Sequence, residues 1–382
     1  MALDSPFAHS VTWVALLSFF GSGIMMSLIG AIKLKLAQKL ILNDSQIGKL
    51  ISALLFTGLV MFLVAGPFLD AFGHKITILI GFVVTCLGIA LLGKANAYAL
   101  AVLGCIVLGA GGSVLSTGGY TLIVPAINPH NPAAANNFGT VFFGLGAFLM
   151  PLLIGLVLKK LPLERGLTLI SLVLVLAVIP TLTATYPTLG ASFVFAQFFS
   201  LLTDRIVWIA GLALLFYVGV EVSMASWITT YFKSIQFSDE KASAVLSSFW
   251  IAMLVGRLAA SQVVQKGSES PLVLVAALIA GAAIYAMIRT TRRTVATIAV
   301  LVVGLCFGPL FPTIVGLVFS KFPPAQHGSV FGTISAMGFF GGTTIPALIG
   351  VFSQGKSIRQ SLYVAAGASF LLAIFGVVLG WI

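Results

Sequence analysis

The sequence predicts an all-α membrane protein, with twelve transmembrane helices in two six-helix bundles related by a pseudo-two-fold axis along the membrane normal. Three observations carry this. The 382 residues are 59% hydrophobic and only 8% charged, with a mean hydropathy of +1.15, whereas soluble domains carry about 25% charged residues. Apolar runs long enough to cross a bilayer recur twelve times. Two short blocks of sequence recur at a spacing of about half the chain.

The apolar runs cover approximately 10–34, 46–68, 75–93, 97–124, 133–158, 166–185, 206–232, 242–264, 271–289, 294–320, 329–353 and 358–381. A helical crossing needs about 20 residues, so the connections are short. Only helices and closed barrels satisfy the backbone in lipid, and the runs lack the two-residue alternation of barrel strands. The start does not read as a cleavable signal, because Asp4 and no base precedes the first run, whereas a signal needs a basic leader. One connection differs from the rest. Residues 186–205 hold Pro187, Gly190, Gln197 and Asp204 among Phe193, Phe195, Phe198 and Phe199, which suits an interfacial helix lying on the membrane. Ser192 to Leu202 is its expected helical part. The expected organisation is an N-terminal bundle over 1–185, the linker 186–205, and a C-terminal bundle over 206–382.

The repeat supports this division. Phe138-Gly139-Thr140 precedes Pro151-Leu152-Leu153-Ile154-Gly155, and Phe331-Gly332-Thr333 precedes Pro346-Ala347-Leu348-Ile349-Gly350. Six intervening spans preserve orientation, so the repeat is parallel. Glycines cluster at 109–119, 139–146 and 338–342, where small residues let helices approach closely in lipid. Gly308-Pro309 and Pro312 are expected to interrupt the tenth span, and Pro125 to end the fourth, because proline removes a backbone N–H.

Glu221 sits near the middle of the run 206–232, deeper in apolar sequence than any other acid. A carboxyl at the bilayer centre costs roughly 2.5–3.5 kcal/mol on insertion scales and faces a bundle interior or a wet cavity. It is either a neutral group hydrogen-bonded between helices or a substrate or proton site, and the second is the default for such acids. On an ideal helix Tyr217 shares its face, and Trp227 points elsewhere. Other polar or aromatic residues in or near spans are Tyr120, Asn136, Asn137 and Trp250. Aromatic faces with hydrogen-bonding groups suit a polyol, although Tyr120 and Trp250 equally suit packing or interfacial positions.

Gly66-Pro67-Phe68-Leu69-Asp70-Ala71-Phe72-Gly73-His74-Lys75 joins spans two and three. It resembles the loop signature of the major facilitator superfamily, with its central Arg replaced by Ala71 and His74 in another basic slot. Within that superfamily the chain is similar to the fucose–proton symporter and glucose/galactose porter group. The similarity lies in Tyr217-Val218-Gly219-Val220-Glu221 with Trp227 and Tyr231, in Asn137-Phe138-Gly139-Thr140 with Gly144, Gly146 and Pro151, and in Gly308-Pro309-Leu310-Phe311-Pro312-Thr313. The resemblance implies alternating access around a central site and a small-molecule cargo, a monosaccharide first. Glu221, Tyr217, Trp227, Asn136, Asn137, Tyr120 and Trp250 are the candidate cargo contacts. Gly66, Asp70, Gly73, Lys75 and Arg257 form a candidate conformational latch.

The departures bear on coupling. The acids that proton-coupled members carry in spans one and four fall near Gly30 and Ser116, and amides of span five near Gly139 and Phe143. A uniporter is therefore expected, with efflux of an amphipathic drug or lipid, or proton-coupled symport through Glu221, as alternatives. No cofactor, metal or nucleic acid is expected, since the bases behind the formal charge of +11 are scattered between spans. Cys86, Cys105 and Cys306 read as packing residues, and the four histidines lie in the tail or at loops, so no enzyme site is expected. The chain is expected to work as a monomer in a bilayer of the bacterial inner-membrane kind. The resemblance implies cytoplasmic termini, yet fifteen of the twenty Lys and Arg fall in or next to loops on the opposite side, against the positive-inside rule.

Overall fold

The computed structural model describes residues 10–187, 195–290, 292–355 and 357–381. They form helices without a strand among the described residues: α1 (Ser10–Leu40), α2 (Asp44–Lys94), α3 (Tyr98–Ile127), α4 (Pro132–Lys160), α5 (Leu163–Val175), α6 (Val178–Thr183), α7 (Phe195–Leu201), α8 (Arg205–Ser234), α9 (Asp239–Val263), α10 (Glu269–Arg289), α11 (Arg293–Phe307), α12 (Leu310–Phe319), α13 (His327–Gly355), α14 (Ile358–Ser361) and α15 (Tyr363–Val378). Eleven helical stretches among the described residues are long and apolar enough to cross a membrane. The protein is an integral, multi-pass membrane protein.

The count of eleven against twelve expected crossings has one cause. Spans two and three belong to a single 51-residue helical stretch, α2, broken only at Gly73 (φ 80°, ψ 171°). A straight helix of that length would measure about 75 Å, far more than the roughly 30 Å hydrocarbon core. The contacts with α3 show that it turns back on itself. Gly109 lies against Leu54 and Ser113 donates to Gly58 O, so the first arm runs parallel to α3. Ile78 meets Gly118, Thr85 meets Gly111 and Gly88 meets Leu108, so the second arm runs antiparallel. Gly73 alone makes the reversal, because its positive φ is open to glycine at little cost.

The helix ends follow local chemistry. Asn43 and Gln46 form a capping box at the start of α2, Asp204 accepts from the N–H groups of Ile206 and Val207 at the start of α8, and Ser238 caps α9. Pro309 separates α11 from α12 as expected. Pro125 does not end its helix, since α3 continues to Ile127. Only the last two residues lie beyond it, so the lost N–H falls in the final turn. In the linker α7 is helical over Phe195–Leu201, and residues 192–194 lie outside the described residues.

The chain divides into two compact units. Unit 1 holds Met1–Pro129, Gly139–Phe199 and Phe322–Thr333; unit 2 holds His130–Phe138, Ser200–Lys321 and Ile334–Ile382. The sequence halves therefore exchange two short segments, the first turns of α4 and of α13 with its approach. Both exchanges end inside the repeated Phe-Gly-Thr blocks at 138–140 and 331–333.

Unit 1 takes in the start of α13 by glycine contact. A Cβ on Gly66 would lie 2.3 Å from Gly328 O, and one on Gly332 would lie 2.1 Å from Phe62 O. No side chain fits either place. Gly66→Val should therefore lower the unfolding temperature in detergent by the equivalent of about 1–3 kcal/mol. Gly155, with nothing within 4 Å of an added Cβ, is the control. Gly155→Ala should leave stability level or raise it by up to about 1 kcal/mol through helix propensity. Equal losses at both positions would show that the close approach at Gly66 does not matter.

Candidate functional site

The site builds up from a flaw in a helix. Pro312 lacks an N–H, so the carbonyl four residues earlier, Gly308 O, has no helical donor. Arg257, from α9, supplies one: its Nε donates to Gly308 O at 3.1 Å. Pro309 leaves Leu305 O in the same position, and Gly256 lets α9 approach it, since a Cβ there would lie 2.3 Å from Leu305 O. The broken stretch α11–α12 is thus what seats Arg257, whose side chain is 8% exposed.

Glu221 faces it from α8. Its Oε1 lies 3.8 Å from Arg257 Nη2, with the Glu side chain 15% exposed. The separation is that of an ion pair but longer than a hydrogen bond. One turn earlier, Tyr217 is fully buried, and its hydroxyl lies within interaction range of the Glu221 carboxyl. The Tyr217 ring stacks on Phe307 at 5.3 Å and 16° between planes, and tilts against Phe311 at 5.8 Å. Glu221 is thereby held between a cation and a phenol within unit 2.

The remaining candidates scatter around this core. Asn137 donates from Nδ2 to Ala133 O and to Thr313 Oγ1, both at 2.9 Å, tying α4 to α12. Asn136 is fully buried, and its amide has no hydrogen-bond partner among the described residues. Trp227 turns away from the Glu221 face, donating to Pro346 O at 3.4 Å. Trp250 is 40% exposed and edge-on to Phe249. Tyr120 lies in unit 1, between the rings of Phe19 at 4.8 Å and Phe331 at 4.6 Å. The structure thus brings Tyr217 and Glu221 together and leaves Trp227, Trp250 and Tyr120 in other packing environments.

The candidate latch separates likewise. Asp70 accepts from the backbone N–H of Gly328 at 2.9 Å and of Ser329 at 2.7 Å, one to each carboxylate oxygen. These are unpaired donors at the start of α13, where negative charge is stabilised. Gly66 allows the approach and Gly73 the reversal, while Lys75 is exposed. Arg257 does not belong with this group. It lies in unit 2, paired with Glu221. His74 is buried, with neither ring nitrogen hydrogen-bonded among the described residues, so it does not act as a solvated base of the loop. Sequence reasoning missed the Glu221–Arg257 pair, although Arg257 sits inside the apolar run 242–264 and intramembrane charges pair with one another.

The Major Facilitator Superfamily profile matches residues 14–346. The chain belongs to the Major Facilitator Superfamily. It is 23% identical over 356 residues to a probable nitrate/nitrite transporter, NarK2, of Mycobacterium tuberculosis, covering 89% of this chain and 87% of that protein. It is 28% identical over 189 residues to the bypass of stop codon protein 6 of Saccharomyces cerevisiae, which is 47% of this chain and 37% of the yeast protein. In structure it is similar to the fucose:proton symporter FucP of E. coli, with a TM-score of 0.82 at 19% identity over 96% of this chain and 98% of that one. The protein is a major facilitator transporter and not an enzyme.

The two asparagines allow a direct contrast. Asn137→Ala removes two hydrogen bonds and should destabilise the protein by roughly 0.5–1.5 kcal/mol for each. Asn136→Leu removes a buried amide without a partner and should be neutral or stabilising. Thermal unfolding of both variants checks this. An Asn136→Leu loss as large as that of Asn137→Ala would mean that the Asn136 amide is held by a group such as bound water.

Proposed function

We propose that this transporter moves a monosaccharide by alternating access, with Glu221 and Tyr217 as its central hydroxyl-binding pair. The observation that carries the reading is the placement of that pair. A carboxylate accepts from sugar hydroxyls and a phenol donates or accepts, and here the two adjoin on one helix face beside the Phe307 and Phe311 rings. The sequence motifs shared with the fucose and glucose/galactose group support it, as does the likeness to a fucose:proton symporter. In this reading the hold of Asp70 on the start of α13 is the contact that breaks when the carrier changes its open side. Acids are missing near Gly30 and Ser116, so any ion coupling falls to Glu221.

A second cargo, a small inorganic anion, is favoured by the buried guanidinium of Arg257 together with the similarity to a nitrate/nitrite transporter. An amphipathic drug or lipid would have little use for either charge.

A thermal-shift screen of the purified protein against monosaccharides, nitrate and amphiphiles tests the reading. A cargo at a hundred times its Kd stabilises the fold by about 2.7 kcal/mol, so a monosaccharide should raise the unfolding temperature in proportion to the logarithm of its concentration. Stabilisation by amphiphiles with no response to any sugar would refute the monosaccharide reading.

A further inference from the structure

The charges of unit 2 allow the cargo to be specified further. Glu221 and Arg257 are buried together, and at that distance their charges cancel. Beside Arg257, the Glu221 carboxyl meets the uncharged phenol of Tyr217, whose ring packs on Phe307 and Phe311. A neutral sugar leaves this balance untouched. An anionic cargo upsets it by one negative charge, which a low-dielectric site does not tolerate without compensation. One group can supply the compensation, since Glu221 can take a proton.

A second, independent observation points to an anion. On the side of the membrane opposite the termini, the loops and helix ends carry fifteen Lys and Arg against Asp44, Glu164, Asp239 and Glu240, so that side holds the whole formal excess of +11. Lys33, Lys35 and Lys94 of unit 1 and Lys241, Arg289 and Arg292 of unit 2 are exposed there. A membrane face rich in one sign of charge concentrates ions of the other.

We propose that the cargo is a monosaccharide bearing one carboxylate, a uronate, and that it crosses with one proton. The cargo carboxylate takes the place of Glu221 at Arg257, whose planar guanidinium suits a carboxylate. Glu221 takes a proton from the aqueous side that is open and turns to Tyr217. The site begins with one negative and one positive charge. It ends with neutral Glu221, cationic Arg257 and an anionic cargo, so it stays neutral throughout. On the far side the cargo leaves, Glu221 returns its proton to water, and the ion pair re-forms. One acid carries one proton, so a sugar phosphate of two charges is excluded. The inference rests on the monosaccharide reading and adds the charge and the coupling to it.

The test uses the full chain in proteoliposomes, one pH unit more acid outside, with D-galacturonate, D-galactose and nitrate as probes. Galacturonate should accumulate towards about tenfold, the ratio that one pH unit sustains for one proton per cargo. That level should not change when the membrane potential is clamped, because the cycle moves no net charge. Raising the ionic strength should raise the KM for galacturonate by screening the basic loops. Glu221→Gln should lose gradient-driven accumulation of galacturonate, and Arg257→Lys should raise the galacturonate KM about tenfold or more. The wild-type comparison decides even if both variants fold poorly. Galactose uptake indifferent to the gradient, with galacturonate refused, would overturn this inference and leave the monosaccharide reading standing. Gradient-driven nitrate accumulation without galacturonate would overturn the monosaccharide reading, and the uronate with it. No movement of any of the three would overturn both.

Discussion

The structure of the C-terminal unit depends on keeping one buried ion pair. Moving a carboxylate and a guanidinium out of water costs several kcal/mol each, and the pair survives only where other hydrogen bonds share the load. Gly308 O shares it, and it is available because Pro312 withholds a donor. Gly256 in turn lets α9 come near enough to place Arg257. The break in α11–α12, the glycine on α9 and the acid on α8 are therefore one construction. A leucine at 256 or an ordinary residue at 312 would leave Arg257 without its seat and Glu221 without its partner.

In the N-terminal unit the same constraint appears with backbone in place of side chains. Burial in protein keeps water from this helix end, so the first N–H groups of α13 need acceptors, and Asp70 presents one oxygen to each of two. The approach is possible because Gly66, Gly328 and Gly332 carry no Cβ. These contacts act through geometry and charge, and large rings pack beside them, with Phe62 edge-on to Phe331.

Much of this was legible in the sequence. The apolar runs located the helices to within a few residues, because length and hydropathy in lipid allow little else. Glu221 stood out because an acid in an apolar run is costly. Tyr217 followed from helical spacing. What the sequence hid were relations between distant helices. Arg257 read as part of the latch, and its pairing with Glu221 joins two helices through a relation that no local spacing marks. Asp70 could be read as a latch but not its target, since Gly328 and Ser329 lie some 260 residues away and donate backbone groups that no side-chain pattern marks. Spans two and three gave no sign of being one helix with a single non-helical residue, because Gly73 sits in a stretch that reads as an ordinary charged turn. Trp227, Trp250 and Tyr120 show what aromatic residues leave open. Their side chains suit a sugar, but an aromatic residue suits a packed helix interface equally well, and composition alone does not separate the two.

The central claim is that Glu221 and Arg257 act as one unit, and a double-mutant cycle tests it most directly. The measurement is the unfolding free energy in detergent micelles of Glu221→Gln, Arg257→Gln and the double variant. Removing one partner of a buried pair costs about 3–5 kcal/mol because the other charge is stranded, while replacing both is far milder. The account therefore predicts that the double variant is more stable than at least one of the singles, with a coupling energy of about 2 kcal/mol or more. Effects that add to within about 0.5 kcal/mol would show that the two residues act independently, and would contradict it.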